Sequence, residues 1–221
     1  MSHKKADSPA AKNRKAHNEL QREYFNQKAD IFLQPIPPEV RKRTREIVNS
    51  ARLDSSSTVL DVGTGTGALI EHFLEDGVKQ ENIVGCDLSD EMIERAKKRF
   101  PGVAYWRGDI LEFPSLPAPS LPPQIKDFNA VFFNACFGNI FDRQAAVARA
   151  QKLLKPGGRV IISHPLGLRF QRSLHESGPD IVPHLLPAKK ELEAWSRELT
   201  LVLETFRDEK DFYLAALKKS V

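Results

Sequence analysis

Val59-Leu60-Asp61-Val62-Gly63-Thr64-Gly65-Thr66-Gly67 passes from a short apolar run into glycines at alternate positions, and an amphipathic helical pattern starts near Ala68. The glycines permit a tight turn and let a ligand approach the backbone without meeting a Cβ. A helix start next to them offers unpaired N–H groups and a partial positive charge, which suit a carboxylate as well as a phosphate. The stretch predicts a buried strand, a ligand-binding turn and a helix.

Toward the C-terminus, short apolar runs alternate with helical stretches. The runs are Thr58–Val62, Asn82–Cys86, Val103–Trp106, Ala130–Phe133 and Arg159–Ser163, and the helices fall near Ala68–Asp76, Asp90–Arg99 and Arg143–Leu154. This alternation predicts an α/β fold with a parallel sheet, whose strands are apolar throughout because both faces are covered. Five prolines within Pro114–Pro123 exclude helix and ladder there. Pro187–Leu199 predicts a further helix, and Leu201–Phe206 with Asp211–Leu217 a pair of antiparallel strands joined at Arg207-Asp208-Glu209-Lys210.

Toward the N-terminus, residues 1–16 are polar and charged and are expected as a disordered basic tail. Helices are expected over His17–Leu33, ended by the prolines of Gln34-Pro35-Ile36-Pro37-Pro38, and over Glu39–Ala51. The chain therefore divides into the tail, a helical lid over residues 17–57 and an α/β domain over 58–221. Its 221 residues suffice to bury about 70% of the unfolded surface.

Residues 1–58 hold 12 Lys/Arg against 7 Asp/Glu, and the remainder 21 against 22, so the formal charge of +4 belongs to the front arm. That arm lacks an arginine-rich, aromatic-interleaved pattern, so nucleic acid is not the expected partner. Cys86 and Cys136 lie in separate apolar runs without disulfide or metal-ligand spacing, and no metal site is predicted. There is no signal-like start and no run long enough to span a bilayer, so a cytoplasmic location without membrane partners is expected. Nothing in the sequence sets the oligomeric state.

The acids carry the chemistry. Asp61 precedes the glycine turn, where it would repel a pyrophosphate and attract the ammonium of a methionine moiety, which favours S-adenosylmethionine over NAD. Asp87 ends a strand 20 residues after Gly67, where a carboxylate can accept both ribose hydroxyls and Leu88 can cover a base. Gly108-Asp109-Ile110 offers an acceptor and an apolar face to adenine.

These motifs, followed by Leu154-Lys155-Pro156-Gly157-Gly158, resemble the ordered set of class I S-adenosylmethionine-dependent methyltransferases over about residues 58–163. The resemblance implies a doubly wound, Rossmann-like, seven-stranded and mostly parallel sheet with an antiparallel terminal strand. It also implies S-adenosylmethionine as cofactor, held by Asp61, Gly63, Thr64, Gly65, Gly67, Asp87, Leu88, Asp109, Ile110 and Asn134. Asn134-Ala135-Cys136-Phe137 lacks the Pro-Pro-aromatic motif of base-amino methyltransferases and is similar to the small-molecule and quinone branch.

Substrate contacts are expected at the carboxyl ends of the strands, from Phe137 and Asn139, from the stretch of about 23 residues after Ser163 with His164, His175 and His184, and from Tyr24 in the front helix, beside Phe25 and Lys28. His164, at a strand end, is the candidate base. The reading is methyl transfer to a small, partly apolar acceptor. Its rivals are an RNA methyltransferase using the basic arm, an NAD-dependent reductase, which Asp61 and the lack of a Tyr-x-x-x-Lys pair disfavour, and a cofactor-binding module without turnover.

Overall fold

A computed structural model describes residues 9–220. Strands form where apolar residues run together: β1 (Val59–Val62), β2 (Ile83–Asp87), β3 (Ala104–Arg107), β4 (Phe128–Asn134), β5 (Leu154–His164), β6 (Leu201–Glu209) and β7 (Phe212–Lys219). They make one seven-stranded sheet in the order β3-β2-β1-β4-β5-β7-β6. The first five are parallel. β7 is inserted antiparallel between β5 and β6 and is the reversed strand that the sequence anticipates. β1 sits between β2 and β4, so successive connections leave it in opposite directions and open a crevice at the carboxyl ends of the strands.

Neighbouring residues on a strand face opposite sides, and β4 shows the result. Phe132 packs against Phe73 at 5.0 Å between centroids, within a layer containing Ile47, Val48 and Ile161. Phe133 points into the other layer with Leu60, Val147 and Tyr213. The first layer is covered by α2 (Pro38–Asn49) and α3 (Ile70–Glu75), the second by α5 (Arg143–Leu153) and α7 (Lys189–Glu198). α4 (Asp90–Arg99) follows β2 with Ser89 as N-cap, its hydroxyl accepting the Met92 N–H at 3.1 Å, and with Lys97, Lys98 and Arg99 at the negative end of the dipole.

Three expectations need correction. Residues 9–16, expected as disordered tail, begin α1 (Pro9–Lys28), which continues as a 3₁₀ turn over Ala29–Leu33; residues 1–8 lie outside the described residues. No apolar stripe is needed there, because Arg14 meets Asp109 at 3.4 Å and Glu112 at 3.1 Å, tying a polar helix down by ionic contacts. The stretch after β5 is not a bare loop but carries α6 (Gly167–Ser177). α3 starts at Ile70 and is six residues long, so the dipole expected behind the glycine turn is short and contributes little.

Phe132 is fully buried, and Phe132→Ala is expected to destabilise the protein by about 3–5 kcal/mol through lost burial and the cavity left behind. A urea titration measures this as a lower midpoint at unchanged slope.

Candidate active site

The turn after β1 is fixed from three sides. The amides of Gly63 and Thr64 donate to the Cys86 carbonyl of β2 at 2.7 and 3.1 Å. The Gly65 amide donates to Asp87 Oδ2 at 2.9 Å, and Arg99 of α4 donates to the Thr66 carbonyl at 2.7 Å. Gly63 takes φ +67°, and a Cβ there would lie 2.6 Å from Cβ of Cys136, which belongs to the turn after β4. Only glycine fits, because both the left-handed conformation and the contact with the neighbouring turn exclude a side chain.

The crevice above this turn is a cavity of about 620 Å³. Four carboxylates line it, those of Asp61, Asp87, Asp109 and Asp142, and no lysine, arginine or histidine does so among the described residues. Asp61 is buried at the end of β1 and accepts the Thr64 hydroxyl at 2.8 Å. Burial pushes its carboxyl from an ordinary 3.8 up to about 7, opposed in part by the Thr64 hydrogen bond and aided by the charge of Asp87. Asp87 is also raised by burial, although its oxygens accept the amides of Gly65 and Ser89. Asp109 accepts from the Asn18 side chain at 2.7 Å and from the Leu111 amide at 2.9 Å. Asp142 caps α5 by accepting the Ala145 amide at 3.0 Å. Asp61 and Asp87, desolvated by burial and with no cation on the lining, make the end of the chamber beneath the glycine turn attract positive charge and repel phosphate, whereas Asp109 is met by Arg14 and Asp142 is exposed.

Of the positions predicted to hold a cofactor, Asp61, Gly63, Thr64, Gly65, Asp87, Leu88, Asp109, Ile110 and Asn134 line this cavity, while Gly67 stands just behind it. The positions predicted to meet a substrate scatter. Asn139 lines the cavity, with its amide donating to Gln21 Oε1 at 3.2 Å and to the Ile181 carbonyl at 3.0 Å. Phe137 does not: it is buried in the second layer, edge-on to Phe133 at 5.4 Å. Tyr24 also turns away, packing on Phe25 at 5.2 Å beneath the Lys28 ammonium, while Phe25 lines the cavity in its place.

None of the three histidines lines the cavity. His164 is buried beside Phe170, its Nδ1 accepts the Leu166 amide at 3.1 Å, and burial lowers its pKa from 6.5 to about 4. A ring so desolvated is a weak proton acceptor at neutral pH, and His164 stands off the cavity wall on which the sequence reading expected a base. His175 Nδ1 donates to the Val182 carbonyl at 2.6 Å, and His184 Nε2 lies 3.1 Å from the Phe141 carbonyl. Both pin loop backbone.

Residues passed over in the sequence complete the walls. Asn18, Gln21 and Phe25 recur three and four apart on α1 and form one face over the cavity. The spacing was visible, but two amides and one aromatic do not make an apolar stripe. Ala135 lines the cavity with φ +56°, a left-handed conformation that no sequence pattern announces for alanine. The far wall is apolar, with Ile36, Val40, Ile140, Pro165 and Leu166.

Comparison with known proteins agrees with this geometry. The family model described as a methyltransferase domain matches residues 60–160. The chain is 29% identical over 131 residues to a demethylmenaquinone methyltransferase of Paenarthrobacter aurescens, covering 58% of this chain and 47% of that protein. It is 32% identical over 117 residues to a ubiquinone/menaquinone biosynthesis C-methyltransferase of Desulfotalea psychrophila, covering 53% and 45%. The chain thus spans about half the length of these curated relatives. In fold it is similar to magnesium protoporphyrin IX methyltransferase from Synechocystis, solved with bound S-adenosylhomocysteine, at a TM-score of 0.63 and 12% identity over 91% of this chain and 99% of that one. Residues 60–160 thus match a methyltransferase domain, and the sheet order is that of a methyltransferase fold.

Proposed function

We propose that the chain binds S-adenosylmethionine in this cavity and transfers its methyl group to a small, partly apolar acceptor. The observation that carries the reading is the pair of buried aspartates on the lining, Asp61 and Asp87, with no lysine, arginine or histidine among the described lining residues. A ligand bearing an ammonium and a sulfonium is attracted there, and a dinucleotide with a pyrophosphate is not. The relatives' names, which are those of quinone-pathway methyltransferases, support an aromatic acceptor against the apolar wall.

Asp61 receives the ammonium of the methionine portion, Asp87 the ribose hydroxyls, and Asp109 with Ile110 the adenine. The cofactor supplies an electrophilic methyl on a good leaving group. The chain's task is then to hold acceptor and methyl in line and to exclude water. Such positioning alone can lower a barrier by about 7–11 kcal/mol. An electron-rich aromatic ring is nucleophilic enough to attack the methyl before losing its proton, which then passes to a lining carboxylate or to water at the cavity mouth, since no histidine is on the lining.

Calorimetric titration with S-adenosylhomocysteine is expected to show one site, and Asp87→Ala to weaken it by about 10- to 100-fold, as befits loss of charge-assisted hydrogen bonds. Mass spectrometry of incubations with a short-chain hydroquinone then reports the added methyl. Binding of NAD without binding of S-adenosylhomocysteine would falsify the assignment.

Asp61 gives a second, pH-resolved outcome. Its carboxyl stands higher in the fold, at about 7, than the ordinary 3.8. The stability from keeping it protonated is therefore complete below about pH 4 and lost as pH rises through 7, a difference on the order of 4 kcal/mol. The ligand-free protein is expected to melt lower at pH 8 than at pH 5, with Asp61→Asn flattening that difference and raising the melting temperature at pH 8. The same variant is expected to lose affinity for S-adenosylhomocysteine, whereas in the parent protein affinity rises through pH 7 as Asp61 ionises.

A further inference from the structure

Large apolar side chains left in solvent are concentrated where the cavity opens. Ile31, Phe32 and Leu33, consecutive in the 3₁₀ turn after α1, are 61%, 48% and 47% exposed, and Ile31 and Phe32 also line the cavity. Phe141, packed on His17 of α1, is both lining and exposed. Phe170 and Leu174, four apart on α6, add a second exposed stripe directly after the lining residue Leu166. Three consecutive exposed apolar residues are costly in a surface with no partner.

Charge is concentrated in the same segments. Residues 9–45 and 167–177 hold 11 Lys/Arg against 5 Asp/Glu, a surplus larger than the +4 of the whole chain. Several of these cations are spent on carboxylates of the sheet domain, as Arg14 is on Asp109 and Arg41 on Glu71. Lys28, Lys42 and Arg172 have no carboxylate partner among the described residues, and Lys28 lies over the Tyr24 ring.

We propose that this rim docks on an anionic phospholipid bilayer, with Ile31–Leu33 and the Phe170/Leu174 stripe entering the interface and Lys28, Lys42 and Arg172 facing the headgroups. No helix among the described residues is long and apolar enough to cross a membrane. Lying against a surface requires only an apolar edge backed by cations. The cavity mouth would then face the acyl region, so an apolar acceptor passes from lipid to cavity without crossing water. The docking itself stands on the rim and not on the identity of the cofactor.

Flotation of the full chain with vesicles tests it. Co-flotation is expected with phosphatidylcholine containing phosphatidylglycerol, much less with phosphatidylcholine alone, and is expected to fall as salt is raised. Lys42→Ala and Arg172→Ala should each weaken partition by about fivefold. Leu33→Asp with Phe170→Asp and Leu174→Asp should abolish it while leaving calorimetric binding of S-adenosylhomocysteine intact, which shows that the variant is folded. No flotation with either vesicle, or flotation that the variants leave unchanged, overturns the proposal. So does a concentration-dependent dimer that the triple variant dissolves without any vesicle binding, since the rim would then be a contact between copies. Loss of cofactor binding in the parent protein would sink the methyl-transfer reading and leave the flotation result untouched.

Discussion

Burying the Asp61 carboxylate without a counter-ion is the constraint around which the rest of the crevice is arranged. An unpaired charge at the end of a central strand is unfavourable, and the protein keeps it only by retaining the proton or by receiving a cation. Everything nearby limits other escapes. The Thr64 hydroxyl takes one oxygen, Asp87 adds negative potential, and the Arg99 guanidinium is turned to the Thr66 carbonyl and Glu71 rather than into the cavity. Local stability is given up for a site that a positive ligand completes, the usual signature of binding machinery.

Much of this was legible because it follows from patterns with one solution. Runs buried on both faces, separated by helical stretches, admit a parallel sheet, and the glycines at 63 and 65 mark a tight turn in which both take positive φ. The acids at strand ends were legible for the same reason: a carboxylate after an apolar run sits at the carboxyl edge of the sheet, where ligands bind. Nine of the ten cofactor positions therefore fall on the cavity wall.

What the sequence concealed depends on rotation about an element or on distant contacts. Tyr24 and Phe25 are adjacent on one helix, and which of them faces the cavity is set by the Asn18–Asp109 and Gln21–Asn139 contacts, each spanning roughly half the chain. The helicity of residues 9–16 rests likewise on Arg14 reaching Asp109 and Glu112. The histidines misled because a titratable ring in the right stretch is not yet a ring in the right place. Hydrogen bonds of each to nearby backbone, together with desolvation of His164, turn them into loop anchors.

The 2.6 Å approach between an imagined Cβ at Gly63 and the real one of Cys136 joins two turns 73 residues apart in the chain, one after β1 and one after β4. Each turn is the steric wall of the other. Position 63 cannot gain bulk unless 136 recedes, and Cys136 is itself held by its thiol on the Val62 carbonyl at 3.1 Å. The two positions are therefore sterically coupled, and bulk at the first is admitted only where the second turn is rebuilt.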